Sequence, residues 1–203
     1  MQAADTACYA AKEAGRNRVH EWLDSDQLMQ ARQGEINWVA RLEEALDEQR
    51  FRLYGQRIVR CNGAPSGLHL EVFLRLADRD GTIIAPGAFL PAAERFHIAS
   101  RLDRCVVREV LVWMGRTTLD PLDLVSVNLS GQSLGDKAFH RDVADLISQT
   151  PFDPRKLCFE VTETAAITHL GDAAAFTAAM RELGVRIALL SRNLSKAKKS
   201  WPN

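Results

Sequence analysis

Three successive strand-like segments of this chain each carry one apolar face and one polar face, and each polar face holds a single hard oxygen ligand. Side chains alternate along a strand, so residues two apart share a face. In the segment 68–76, Leu70, Val72, Leu74 and Leu76 oppose His69, Glu71, Phe73 and Arg75. In 122–129, Val125, Val127 and Leu129 oppose Ser126, Asn128 and the following Ser130. In 157–162, Leu157, Phe159 and Val161 oppose Cys158, Glu160 and Thr162. Central strands of a parallel sheet are usually apolar on both faces. Here one face can pack on helices, and the other turns inward if the sheet curls.

The rest of the chain supplies those helices. Apolar residues Ile36, Val39, Leu42 and Leu46 recur at spacings of three to four and predict a helix over 35–50. Strands follow at 51–59 and 68–76, separated by a loop rich in turn formers at 61–67. Helices are expected at 91–95, 102–114, 136–148 and 172–183, the last stopped by Gly184, and strands at 122–129, 157–162 and 185–190. The segment 4–15 reads as a short helix ending at Gly15, 18–22 as a short strand, and 23–34 as a polar linker or frayed helix. Strands alternating with helices predict an α/β fold with a mainly parallel sheet. The first two strands have no helix between them, so the first can pair antiparallel.

Asn128 and Glu160 fall near the C-terminal ends of their strands, where (β/α)8 barrels place their chemistry. Two carboxylates and an amide oxygen suit Mg²⁺ or Mn²⁺ rather than zinc. A plainer reading is that Glu71 pairs with Arg75 and Asn128 caps a turn. Spacing alone leaves both open.

Composition closes off other classes. The 203 residues hold 26 acids and 26 bases, so net charge gives no reason to expect nucleic acid or an anionic membrane as partner. Cys8, Cys61, Cys105 and Cys158 lie far apart, with no Cys-x-x-Cys pair and no histidine at metal-ligand spacing; they read as reduced thiols in a cytoplasmic protein. The first residues show no secretory signal, and no apolar run approaches the roughly 18 residues of a membrane span.

Five ordered stretches resemble one family. Glu71-Val72-Phe73-Leu74-Arg75 is similar to the E-A-L-x-R signature of EAL-domain cyclic di-GMP phosphodiesterases. Val127-Asn128-Leu129-Ser130 resembles the family's V-N-L-S strand, and Phe159-Glu160-Val161-Thr162-Glu163 its E-x-T-E strand. Leu53-Tyr54-Gly55-Gln56 resembles the L-Y-Y-Q that opens the domain, and residues 86–94 the P-x-x-F-I-P-x-A-E stretch. Such motifs are weak singly and specific in order. The segment ADTACYAAKEAGRNRV resembles the end of a GGDEF diguanylate cyclase domain, without that domain's glycine-rich loop or metal site.

The resemblance implies a partial (β/α)8 TIM-type barrel with about five strands. It divides the chain into a GGDEF remnant (1–22), a linker or helix (23–40), the N-terminal portion of an EAL domain (41–190) and a divergent basic tail (191–203). It implies Glu71, Asn128 and Glu160 as metal ligands, Gln56 and Arg75 as contacts to cyclic di-GMP, and Glu163 as a loop support. The family chemistry is metal-assisted attack of water on one phosphodiester, giving pGpG.

The pattern then breaks. The family's fifth strand runs into D-D-F-G, whereas here Ile187-Ala188-Leu189 is followed by Leu190, Ser191, Arg192 and Asn193. The catalytic set is therefore expected to be incomplete and hydrolysis absent, leaving a binding module or an inactive remnant. The tail, basic and without an acid, reads as a solvated end rather than a nucleic-acid patch. With five strands no barrel closes, so the last strand is expected to be an apolar edge open to self-association or homodimer formation.

Overall fold

A computed structural model describes residues 27–59, 67–116 and 121–190, with side chains from residue 37 onward. The expected helix at 4–15, the strand at 18–22, the GGDEF-like segment, nearly all of the loop at 61–67 and the basic tail lie outside the described residues, as do Cys8 and Cys61.

The first helix, α1 (Gln27–Asp47), begins well before the expected residue 35. Its first turns, QLMQARQ before Gly34, are built from strong helix formers, and the polarity that suggested a linker does not oppose helix formation. Next come β1 (Phe51–Ile58), β2 (Leu68–Ala77) and a two-residue β3 (Ile83–Ile84). Helices α2 (Leu90–Arg95) and α3 (Ala99–Arg116) precede β4 (Leu122–Leu129). Then follow α4 (Gly131–Gly135), α5 (Lys137–Gln149), β5 (Leu157–Thr162), α6 (Glu163–Thr168), α7 (Leu170–Glu182) and β6 (Arg186–Leu190).

The strands form one six-stranded sheet in the order β1-β2-β4-β5-β6, with β3 added to β2. The five strands expected from residue 51 onward are all present, and β3 is the addition. β1 runs antiparallel to β2, while β2, β4, β5 and β6 are mutually parallel. This is the topology that a hairpin followed by three helix crossovers produces.

The apolar faces bury as their alternation requires. Val125, Val127, Leu157 and Phe159 are completely shielded against α3, α5 and α7. Phe176 of α7 fills the middle of this core, with its ring centroid 5.9 Å from Phe159 and 6.2 Å from Phe139. A second cluster joins α1 to the opposite end of β2: Leu42 and Ala45 pack with Leu76, Phe89 and Leu102. Ion pairs close its rim. Arg41 donates to Asp78 at 2.7 Å, and Arg79 reaches Glu44 at 3.1 Å and Glu48 at 2.9 Å. No helix among the described residues is long and apolar enough to cross a membrane.

Candidate functional site

Strand register decides which polar side chains meet. Gln56 on β1 pairs with Glu71 on β2, and Glu71 pairs in turn with Ser126 on β4. One step toward the C-terminal strand ends, Asn128 pairs with Glu160 on β5, and Glu160 with Ala188 on β6. Gln56, Glu71, Asn128 and Glu160 therefore share one face of the sheet across four strands. Both carboxylates are shielded, Glu71 at 3% and Glu160 at 6% exposure, whereas Asn128 and Gln56 reach solvent.

The amide of Asn128 donates from Nδ2 to Oε1 of Glu71 at 3.0 Å, which ties β4 to β2 and turns its carbonyl oxygen the other way. The turn-capping alternative for Asn128 fails, because Ser130 is the residue that caps α4, accepting from the Ser133 amide. Arg75 is half-buried at the far end of β2; its Nη1 donates to the Leu74 carbonyl at 2.9 Å, with the guanidinium 5.6 Å from the Tyr54 ring. Glu163 lies apart from this face, exposed in the first turn of α6 directly after the Thr162 cap. There its charge complements the helix N-terminus.

One step below, His69 Nε2 lies 3.0 Å from Ser126 Oγ. Cys158 sits on the same face, with burial, reinforced by the Glu160 carboxylate, pushing its thiol pKa up to about 11. Such a thiol stays protonated at neutral pH and is a poor nucleophile. Among the described residues, Cys105 and Cys158 are both free.

Where the sequence pattern breaks, the face breaks too. Leu190 ends β6 opposite Thr162, on the same face as Ala188, so this strand adds no oxygen ligand. Among the described residues, no group of three or more His, Cys, Asp or Glu side chains is arranged to hold a metal ion. The donor set offered is two carboxylates and one amide oxygen. Its chemistry fits one hard cation and falls short of two.

Two cavities flank the face without being lined by Glu71, Asn128 or Glu160. One of about 210 Å³ opens between Glu94, Gln132, Thr168 and His169 at the C-terminal strand ends. The other, about 310 Å³, lies at the opposite ends between His69, Asp123 and Arg186.

The sequence reading missed Asp103. This aspartate of α3 accepts at Oδ2 from the Ser130 amide and from the Ser133 hydroxyl, each at 2.7 Å. Burial pushes its carboxyl above the usual range against these two bonds, and the Glu94 charge adds to the push. A signal was available, because Asp103 stands four residues after Ala99 and four before Val107, inside the buried stripe of α3.

A mostly parallel α/β sheet with oxygen ligands near the C-terminal ends of its middle strands, Asn128 on β4 and Glu160 on β5, is the arrangement on which barrel-type α/β folds build their sites. Within that class the assignment is specific: the chain belongs to the EAL-domain family, whose model matches residues 39–191.

The relatives agree. The chain is 32% identical over 190 residues to the cyclic di-GMP phosphodiesterase PdeB of Shewanella oneidensis, covering 93% of this chain and 22% of that protein. It is 31% identical over 150 residues to the cyclic di-GMP phosphodiesterase PdeF of Escherichia coli, covering 73% of this chain and 20% of PdeF. It thus spans about a fifth of the length of these curated relatives. Among solved structures, the Pseudomonas aeruginosa FimX EAL domain bound to c-di-GMP superposes with a TM-score of 0.68 at 26% identity, over 80% of this chain and 67% of FimX. The Vibrio cholerae LapD S helix-GGDEF-EAL structure shares the fold, with a TM-score of 0.67 at 24% identity, over 91% of this chain and 43% of LapD.

Proposed function

We propose that this chain works in cyclic di-GMP signalling as an EAL domain that binds the dinucleotide without hydrolysing it. The observation that carries the reading is a polar face kept on four strands and lost on the next: Gln56, Glu71, Asn128 and Glu160 share it, and β6 answers with Ala188 and Leu190. The names of PdeB and PdeF support the ligand class, and FimX is an EAL domain solved with c-di-GMP.

In this reading Gln56 and Arg75 contact the dinucleotide, Arg75 through a phosphate oxygen with a charge-assisted bond. Glu71, Asn128 and Glu160 would hold one Mg²⁺ or Mn²⁺, which supplies charge neutralisation for the phosphate. Hydrolysis in this family's manner needs a second ion to hold both attacking and leaving oxygens. Glu163 would steady the loop after the next strand. Residues 1–22 would be the end of a GGDEF domain, 23–40 a helical connector, 41–190 the EAL portion and 191–203 a divergent tail, all in the cytoplasm.

The test is calorimetric titration of the purified chain with c-di-GMP in Mg²⁺ or Mn²⁺, with chromatography of the nucleotide after incubation. The expected result is a Kd no tighter than about 1 µM, intact nucleotide, and a further loss of about tenfold or more in Arg75→Ala. Appearance of pGpG with the wild-type chain and its disappearance with Glu71→Ala would overturn the non-catalytic reading.

One observation favours a second activity. β6 pairs with β5 on one side only among the described residues, and its Leu189 is 64% exposed. An apolar strand edge of this kind pairs readily with a second copy, so self-association through β6 is part of the proposal.

A further inference from the structure

We infer that Asp103 is a positioning residue for the ligand-bearing face, acting through the turn that follows β4 to hold Asn128 in place. The inference rests on the reading of that face as the nucleotide site, and it names a residue outside the family signatures.

Asp103 belongs to helix α3, yet both of its hydrogen-bond donors follow closely on β4, Ser130 as the first residue after the strand and Ser133 within α4. Its Oδ2 accepts the Ser130 amide and the Ser133 hydroxyl at 2.7 Å each. Ser130 lies two residues beyond Asn128, and residues two apart in a strand point to the same side. The residue between them, Leu129, is buried in the core with 5% exposure. The chain is therefore held at Leu129 by packing and at Ser130 by the carboxylate. Upstream, Asn128 Nδ2 donates to Glu71 Oε1 at 3.0 Å. A fixed Ser130 fixes the direction in which the strand delivers Asn128.

A neighbouring pair on the same helix provides the contrast. Ser100 donates to Asp136 at 2.6 Å, which anchors the start of α5 and touches nothing between Asn128 and Ser130. Both contacts tie α3 to the helices after β4. Only the Asp103 contact reaches Ser130, the residue that directly follows β4 and lies two beyond Asn128.

The experiment uses the full chain, ¹⁵N-labelled, in four forms: wild type, Asp103→Leu, Asp103→Asn and Ser100→Ala. Three quantities are read: the side-chain amide resonances of Asn128, hydrogen exchange at the Ser130 amide, and c-di-GMP affinity by calorimetry. Asp103→Leu removes the acceptor and is expected to speed Ser130 exchange about tenfold or more, to shift or broaden the Asn128 amide pair, and to weaken c-di-GMP binding about tenfold. Asp103→Asn keeps one carbonyl oxygen for both donors and is expected to stay within about threefold of wild type. Ser100→Ala is expected to lower the melting temperature while leaving the Asn128 resonances and the affinity at wild-type values.

If Asp103→Leu moves the Asn128 resonances no more than Ser100→Ala does, Asp103 is a structural anchor only and the inference is wrong. If Asp103→Leu does not fold, Ser133→Ala decides: a displaced Asn128 signal supports the inference, and an unmoved one overturns it. A wild-type chain that binds no c-di-GMP would sink the nucleotide reading, while the Asn128 resonances would still decide the positioning role.

Discussion

Two aspartates around the joint of α3, α4 and α5 are pushed in opposite directions. Asp136 caps α5, and the Ser100 hydroxyl, then the backbone amides of Phe139 and Ala138, hold its carboxyl below the usual range of about 3.8. Asp103 is pushed above that range by burial. A lowered folded pKa stabilises the fold above the unfolded value and loses that contribution as pH falls through the folded pKa. A raised one works the other way, because ionising Asp103 costs stability as pH rises past 3.8. Comparing urea midpoints at about pH 7 and about pH 3.5 separates them. Asp136→Asn should narrow the difference between the two pH values, and Asp103→Asn should widen it. Equal shifts in both variants would contradict the assignment. Asp136 was legible in the sequence, because an aspartate before an amphipathic run is a helix start. Asp103 was hidden by the expected helix boundary at residue 102, which placed it in a first turn where an acid raises no question.

Helix ends show the same division between the legible and the hidden. Three helices stop on a residue with positive φ: Gln49 at 52° after α1, His97 at 59° after α2 and Gly184 at 87° after α7. The stop at Gly184 is readable because glycine enters this region at no steric cost. Gln49 and His97 enter it under strain, held by the bonds that close the helices: Arg50 N donates to Ala45 O at 2.9 Å and Ile98 N to Ala93 O at 2.8 Å. No residue-type signal marks either site; the expected end of α1 at residue 50 overshoots Asp47, whereas the expected end of α2 at residue 95 agrees with the structure. Substituting across the set tests the account. Gly184→Ala should cost roughly 1 kcal/mol, while Gln49→Gly and His97→Gly should gain up to about 1 kcal/mol, read by chemical denaturation. A gain from Gly184→Ala would show that the positive φ is not required there. The short helices α4 and α6 were also missed, because five or six residues cannot display a 3.6-residue period.

At the scale of the molecule, the alternation of strand faces read from sequence carried the sheet, its parallel core and the placement of Glu71, Asn128 and Glu160 on one side. What it could not carry was contact: the bond from Asn128 to Glu71 joins residues 57 positions apart and depends on the register that sets Glu71 beside Ser126. The sheet has two outer strands. β1 exposes polar Arg52, Gln56 and Arg57 along with Tyr54, and charged or polar side chains of this kind protect an edge. β6 reads Arg-Ile-Ala-Leu-Leu, with one charge at its start and Leu189 open on the face where the other strands pack helices. Zero net charge near pH 7 adds no repulsion between copies. The asymmetry predicts association through β6 rather than β1. Sedimentation of the wild-type chain should show dimers or larger species that grow with concentration. Leu189→Lys should shift the population toward monomer, whereas Tyr54→Lys on the opposite edge should leave it unchanged. If Tyr54→Lys is the variant that dissolves the assembly, the copies meet at β1, and β6 is not the exposed edge that governs the behaviour of the chain.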